Sequence, residues 1–459
     1  MSGSRGRSWA WRALGAVLAL GGASLVTHAP SRAAVAQQVE ASVVPMTTSA
    51  SEAATAIASE STSIELAPPA PVWPLDEDGH PIYGVDIDIE DPSGSALRAF
   101  HASLRRAATG EGQSRVVFYG ASHVAADLYT GTVRRLLQSR FGDAGHGFVL
   151  PVEPWPSYRV SDLDVTSNYR RWDILRVRVG QTEPQLYGVM GVTLTTDAPH
   201  AWGRIDTEAQ PASRFELWYA HRPDGGTIDL LVDGRLDRRL NTRADSTDAG
   251  YAVVTTEDRP HTFEIRTRGD GTVTVYGATV ERERPGVIVD ALGINGARAA
   301  SQLLWNSDLQ AEQLRRRMPD LVVLAYGTNE SGDDDQPIDE YEHEVRAVLG
   351  RIQSAVPTAS CLLVGPSDRP IVHRDGSFEP RPRTAQVVEA QRRVARDYGC
   401  GFFDLVRFGG GEGHMMEWAA ADPPWAQSDH VHYTIRGYTR LGEVVANALV
   451  AGYEGPQAL

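Results

Sequence analysis

The sequence predicts an α/β fold, a parallel sheet covered by helices on both faces and split by an all-β insertion. Three observations predict it. Short apolar runs alternate with helix-period segments along most of the chain, a long interior stretch changes to two-residue alternation, and turns rich in Gly, Ser or Asn follow the apolar runs.

Residues 1–36 come first: Arg5, Arg7 and Arg12 precede an apolar run at 13–26 and then small residues ending in Ala34-Val35-Ala36, the layout of a secretory leader cleaved near Gln37. The alternative is an uncleaved anchor, for which the run is short of the ~20 apolar residues a spanning helix needs. Residues 37–75 are dominated by Ala, Ser, Thr, Glu and Pro and read as a flexible tether, too poor in apolar side chains to fold alone. The first part of the α/β domain, 76–151, contains an apolar strand at 116–119 and a helical segment at 125–140.

From 152 to 285 β-branched and aromatic residues alternate with polar ones, and the turns read Asp224-Gly225-Gly226, Asp233-Gly234 and Gly269-Asp270-Gly271. These are hairpin signatures, and the economical reading is an inserted β-sandwich or jelly-roll domain. Trp172, Trp202, Trp218 and Tyr219 within it either form its core or offer a stacking platform for sugars, the core being the weightier reading. The second part of the α/β domain, 286–459, supplies strands at 287–292, 321–326, 362–364 and 402–405, with helices at 297–318, 338–352, 384–398 and 434–450. Five such strands predict a flavodoxin-like, three-layer sandwich. Cys361 and Cys400 each open an apolar run; if those strands are neighbours a disulfide is plausible, and two buried thiols are the alternative.

Composition narrows the chemistry. All 44 basic residues are arginine, so Schiff bases, P-loop phosphate binding and Ser-Lys dyads are excluded. Two cysteines cannot build a four-cysteine zinc site. His414 and Glu417 have metal-pair spacing without a third ligand, and Asp333-Asp334-Asp335 reads as a solvated loop, so neither metal nor cofactor is expected. A formal charge of -15 argues against a nucleic-acid partner.

In an open parallel sheet, ligands bind outside the carboxyl ends of the strands. There the chain places Gly120-Ala121-Ser122-His123, Gly293-Ile294-Asn295-Gly296, Gly327-Thr328-Asn329-Glu330 and, before the last helix, Asp429-His430-Val431-His432. A serine hydroxyl needs a base, and His432 is the candidate because imidazole titrates near neutrality, with His430 the alternative. Asp429 is placed to fix its tautomer. The Ser122 and Gly296 amides and the Asn329 side chain are candidate donors to a developing oxyanion.

These four blocks, in this order, resemble those of the SGNH (GDSL) hydrolases. Ser122, Asp127, Tyr129-Thr130-Gly131, 141–145, 292–297, Gly327-Thr328-Asn329-Glu330 and His432-Tyr433-Thr434 with Gly437-Tyr438 are similar, more narrowly, to bacterial peptidoglycan O-acetylesterases, which carry a β-rich insert after the first block. The resemblance implies Ser122 as nucleophile, Asp429 and His432 as the other triad members, and Gly296 and Asn329 in the oxyanion hole. Ala121 departs from the usual aspartate, which is not a triad member but whose loss is expected to loosen the nucleophile turn. The expected activity is that of an exported, periplasmic or extracellular, serine esterase removing O-acetyl groups from a cell-wall polysaccharide, with no stable membrane insertion after leader cleavage. An acyltransferase, a lipase-like esterase and a non-catalytic wall-binding protein are the alternatives.

Overall fold

The structure, a computed structural model, describes residues 73–177 and 185–455; the leader and nearly all of the 37–75 tether lie outside them. The central sheet consists of β1 (Gln113–Gly120), β2 (Gly286–Gly293), β3 (Leu321–Ala325), β4 (Ser360–Val364) and β5 (Gly401–Phe403), all parallel in the order β2-β1-β3-β4-β5. This is the flavodoxin-like order. Its strands are apolar on both faces because both faces are covered. Val116 and Phe118 of β1 pack with α1 (Arg98–Ala108), α3 (Tyr129–Phe141) and the last helix, Ile435–Val450. Val117 and Tyr119 point the other way, into the core shared with α4 (Ser307–Arg317), α5 (Ile338–Ala355) and α6 (Pro382–Asp397).

Side-chain caps set several helix boundaries. The segment 297–318, expected as one helix, is a 3-10 turn, Ala299–Leu304, followed by α4; buried Trp305 is extended, and the Asn306 side chain accepts from the Leu309 N–H to start a new helix. The segment 125–140 is likewise divided, by Asp127 at φ 46°, into α2 (Ser122–Ala125) and α3. The strand at 402–405 stops at Phe403 because Asp404 caps the helical turn Leu405–Phe408. Helix α1 was not anticipated.

The insert is two antiparallel sheets face to face. One contains Asp248–Arg259, Ala212–His221, Val273–Glu281, Val192–Thr196 and Asp173–Arg176; the other contains Asp164–Ser167, Trp202–Asp206, Thr262–Thr267, Thr227–Val232 and Arg235–Asn241. Phe215 and Phe263 stack between them, with centroids 4.9 Å apart. Of the three expected hairpins, only the one through Asp233-Gly234 joins paired neighbours; those through Asp224 to Gly226 and Gly269 to Gly271 cross from one sheet to the other. A glycine turn reverses the chain but does not choose its pairing partner. Trp172, Trp218 and Tyr219 are buried, and Trp202 is half-buried under the Arg204 guanidinium.

The first sheet also takes in Gly145–Val149, paired with Val273–Glu281, so it begins ahead of position 152. The N–H of Phe148 donates to Asp290 of β2, and Arg317 of α4 bonds both Asp290 and Glu281. The described residues all fall within one compact unit. Cys361 of β4 and Cys400, the residue just ahead of the neighbouring strand β5, are joined in a disulfide. Among the described residues, no helix is long and apolar enough to cross a membrane.

Candidate active site

Three strand ends and the turn before the last helix build the site. Strand β1 ends at Gly120, and Ser122 opens α2 one residue beyond buried Ala121. The turn closes through the main chain: the Ala125 N–H donates to the Ala121 carbonyl at 2.9 Å and the Ile294 N–H to the Gly120 carbonyl at 3.0 Å. No carboxylate at 121 is needed to make those bonds. Strand β2 arrives so close that a Cβ on Gly293 would lie 2.1 Å from the Ala125 nitrogen. Only glycine lets the two backbones approach this closely. Gly296 is required for the opposite reason: it has open space around it but sits at φ 76°.

After β3, the Asn329 side-chain amide donates to the Ala297 carbonyl at 2.9 Å, leaving its second N–H free to donate. Buried Glu330 welds this turn to the Gly296 turn, accepting from the Ala299 N–H at 2.8 Å and the Gly327 N–H at 3.0 Å. Burial raises the Glu330 carboxyl above its ordinary range, against the pull of those N–H groups. Before the last helix, Asp429 Oδ1 accepts from the Val431 and His432 N–H groups at 2.9 and 3.0 Å. Its Oδ2 lies 2.7 Å from His432 Nδ1, and His432 Nε2 lies 2.7 Å from Ser122 Oγ. Burial works to raise the Asp429 carboxyl, but the bonds from His432 and Val431 outweigh it and hold it below its usual value.

The structure thus brings Ser122, His432 and Asp429 into one hydrogen-bonded chain and sets Asn329 beside the Gly296 turn. His432, not His430, reaches Ser122. His414 is buried against the Gly411 carbonyl and Tyr433, while Glu417 accepts from the Trp73 indole. Asp333 and Asp334 are paired with Arg298 and Arg381 rather than simply solvated. Among the described residues, the one group of three potential metal ligands is Asp76, Asp78 and His80, a surface turn in which Asp76 accepts from the main chain of the other two.

Sequence reasoning missed Glu330 as a strut and Ser367 altogether. Ser367 follows β4 in Gly365-Pro366-Ser367-Asp368, so the strand-end rule that found the other blocks could have found it.

A 2-1-3-4-5 parallel sheet with Ser, His and Asp gathered at its carboxyl edge is the SGNH hydrolase fold. Residues 245–440 match the model of the GDSL-like lipase/acylhydrolase family, a span that holds Gly296, Asn329, Asp429 and His432 and begins after Ser122. The chain carries a GDSL-like lipase/acylhydrolase domain and is a carboxylic ester hydrolase. Among solved structures it is similar to a peptidoglycan O-acetylesterase, with 24% identity, 80% of this chain and 99% of the other covered, and a TM-score of 0.67. Two further structures are a salicylyl-acyltransferase of a tetracycline biosynthetic pathway (14% identity, 64% and 98% covered, TM-score 0.28) and a family two carbohydrate esterase from Clostridium thermocellum (9%, 63% and 100%, TM-score 0.29). No curated protein matches the chain.

Proposed function

We propose that this is an exported serine esterase that removes O-acetyl groups from a cell-wall polysaccharide, peptidoglycan first among them, with Ser122, His432 and Asp429 as its triad. The observation that carries the chemistry is the unbroken chain Asp429 to His432 to Ser122, each link 2.7 Å. Ser122 Oγ attacks the acetyl carbonyl while His432 Nε2 takes its proton, and Asp429 holds the Nδ1–H tautomer and stabilises the imidazolium. The amides of Ser122 and Gly296 and the free N–H of Asn329 receive the negative charge of the tetrahedral intermediate. The imidazolium returns the proton to the departing sugar oxygen, leaving acetyl-Ser122. Water, deprotonated by the same histidine, then releases acetate.

The substrate reading is supported by the architecture shared with a peptidoglycan O-acetylesterase over 80% of this chain, more than the α/β part alone. Export is supported by the leader-like 1–36 segment. Ser122→Ala should abolish hydrolysis of p-nitrophenyl acetate while leaving the fold intact; a wild type that binds glycan yet never hydrolyses an ester would sink the reading. Acetate release from O-acetylated peptidoglycan is expected to exceed that from acetylxylan, and the reverse order would reassign the substrate.

A further inference from the structure

The triad and the oxyanion donors come from four separate stretches of chain, and their alignment must be held to a fraction of an ångström. A single buried hydroxyl touches the chain neighbour of three of them. Ser367, fully buried on the loop after β4, lies with its Oγ 3.2 Å from His123 Nε2, 3.3 Å from Thr328 Oγ1 and 3.5 Å from the Val431 carbonyl. His123 follows the nucleophile Ser122, Thr328 precedes Asn329, and Val431 precedes His432. We infer that Ser367 is a positioning residue for ester hydrolysis, the hub that keeps nucleophile, oxyanion donor and base in register. The inference rests on the triad reading above.

Proton bookkeeping makes the hub specific. The Val431 carbonyl can only accept, so the one Ser367 proton is given there. Ser367 Oγ must then accept from Thr328 and from His123, which fixes His123 as the Nε2–H tautomer. Its bare Nδ1 lies 2.8 Å from Tyr438 Oη, which donates to it. Burial, with His432 close by, pushes the His123 imidazole down to about 3, in keeping with a neutral ring. Thr328 Oγ1 accepts in turn from the Ser367 N–H at 3.1 Å. From the same loop, Arg369 Nη1 donates to the carbonyls of Thr328 and Asn329 at 3.1 and 3.3 Å, so the turn carrying Asn329 is held from two sides. Ser367, His123 and Thr328 are all buried, so they act through their neighbours.

Ser367→Ala removes only the hydroxyl. On p-nitrophenyl acetate it should lower kcat by about 10- to 100-fold, the scale of a misplacement of about 1 Å, with KM within about twofold. His123→Gln, which keeps a donor toward Ser367, should retain more kcat than His123→Leu, and Ser367→Ala combined with His123→Leu should cost no more than the worse single change. If Ser367→Ala does not fold, Thr328→Val cuts the same hub from the other side and takes its place. A folded variant with kcat within threefold of wild type, or a rise in KM at constant kcat, overturns the hub. Ser122→Ala separates the two readings: if it is inactive while Ser367→Ala is fully active, only the hub fails, whereas an active Ser122→Ala removes the triad itself.

Discussion

Asp429 shows how much one side chain can be asked to do. Its two oxygens accept three bonds, two from the main chain of its own turn and one from His432 Nδ1, so the carboxylate shapes the turn as well as orienting the base. Those bonds hold its carboxyl below the ordinary range, so the carboxylate keeps its charge and its grip on the ring N–H well into acid. Asp429→Asn keeps the size but offers an N–H where the ring N–H must be accepted. The wrong tautomer then faces Ser122, and kcat/KM for p-nitrophenyl acetate should fall by about 10⁴. Asp429, His432 and Ser122 were all readable in sequence because each belongs to a short local block, Ser122 at a strand end and the other two just before the last helix. The position of Ser367 after β4 was equally readable, but its role was not, because that role is defined by contact with His123, 244 positions away; the strut role of Glu330 likewise appears only where its carboxylate meets the Ala299 and Gly327 N–H groups.

At the scale of elements, α2 is placed by what lies under it. Gly293 at the end of β2 leaves no room for a Cβ beneath Ala125, so Gly293→Ala should push α2 and Ser122 outward. The expected cost is about 1 to 3 kcal/mol of stability together with a fall in kcat. Denaturant unfolding and steady-state kinetics check the two together. The disulfide ties β4 to the residue that leads into β5 and closes a loop, 39 residues along the chain, that includes Ser367. Loop-closure entropy sets its contribution at up to about 4 kcal/mol, so a Cys361→Ala, Cys400→Ala double variant should melt at a clearly lower temperature than the oxidised protein. An unchanged melting temperature would show that the bridge contributes little. Strand and helix positions were legible from periodicity because both faces of the sheet are buried. The breaks at Asp127 and Trp305 were not, since a left-handed residue or a cap leaves the apolar pattern on either side intact.

At the scale of the whole molecule, the insert is fastened to the α/β part by arginines. Buried Glu281, at the end of an insert strand, takes Arg115 of β1 and Arg317 of α4, and Arg317 also takes Asp290. Burial works to raise the Glu281 carboxyl, yet Arg317 and Arg115 bring it down to about 2. The unfolded chain therefore binds a proton more readily than the folded one between about pH 4.5 and 2. The stabilisation is complete above that window and is lost as pH falls through it. Urea midpoints measured across this window should decline for the wild type and decline less for Glu281→Gln, which starts lower. Arginine keeps its charge far into the alkaline range, so no matching loss of this seam is expected there.

By itself the sequence determined the class of the protein. Apolar periodicity is a local signal, and it announced a five-stranded parallel sheet, an all-β insertion between its first two strands in the chain and a cluster of chemistry-bearing residues at the carboxyl edge. The absence of lysine left histidine as the candidate base for Ser122. Only the tertiary structure decided which insert strands share a sheet, that Cys361 and Cys400 are bonded, that His432 rather than His430 reaches the serine, and that the turn survives with alanine at 121. The reason is physical. Each of these depends on which groups meet across the fold, such as Ser367 and His123, 244 positions apart. No local propensity or period in the chain encodes a contact at that separation.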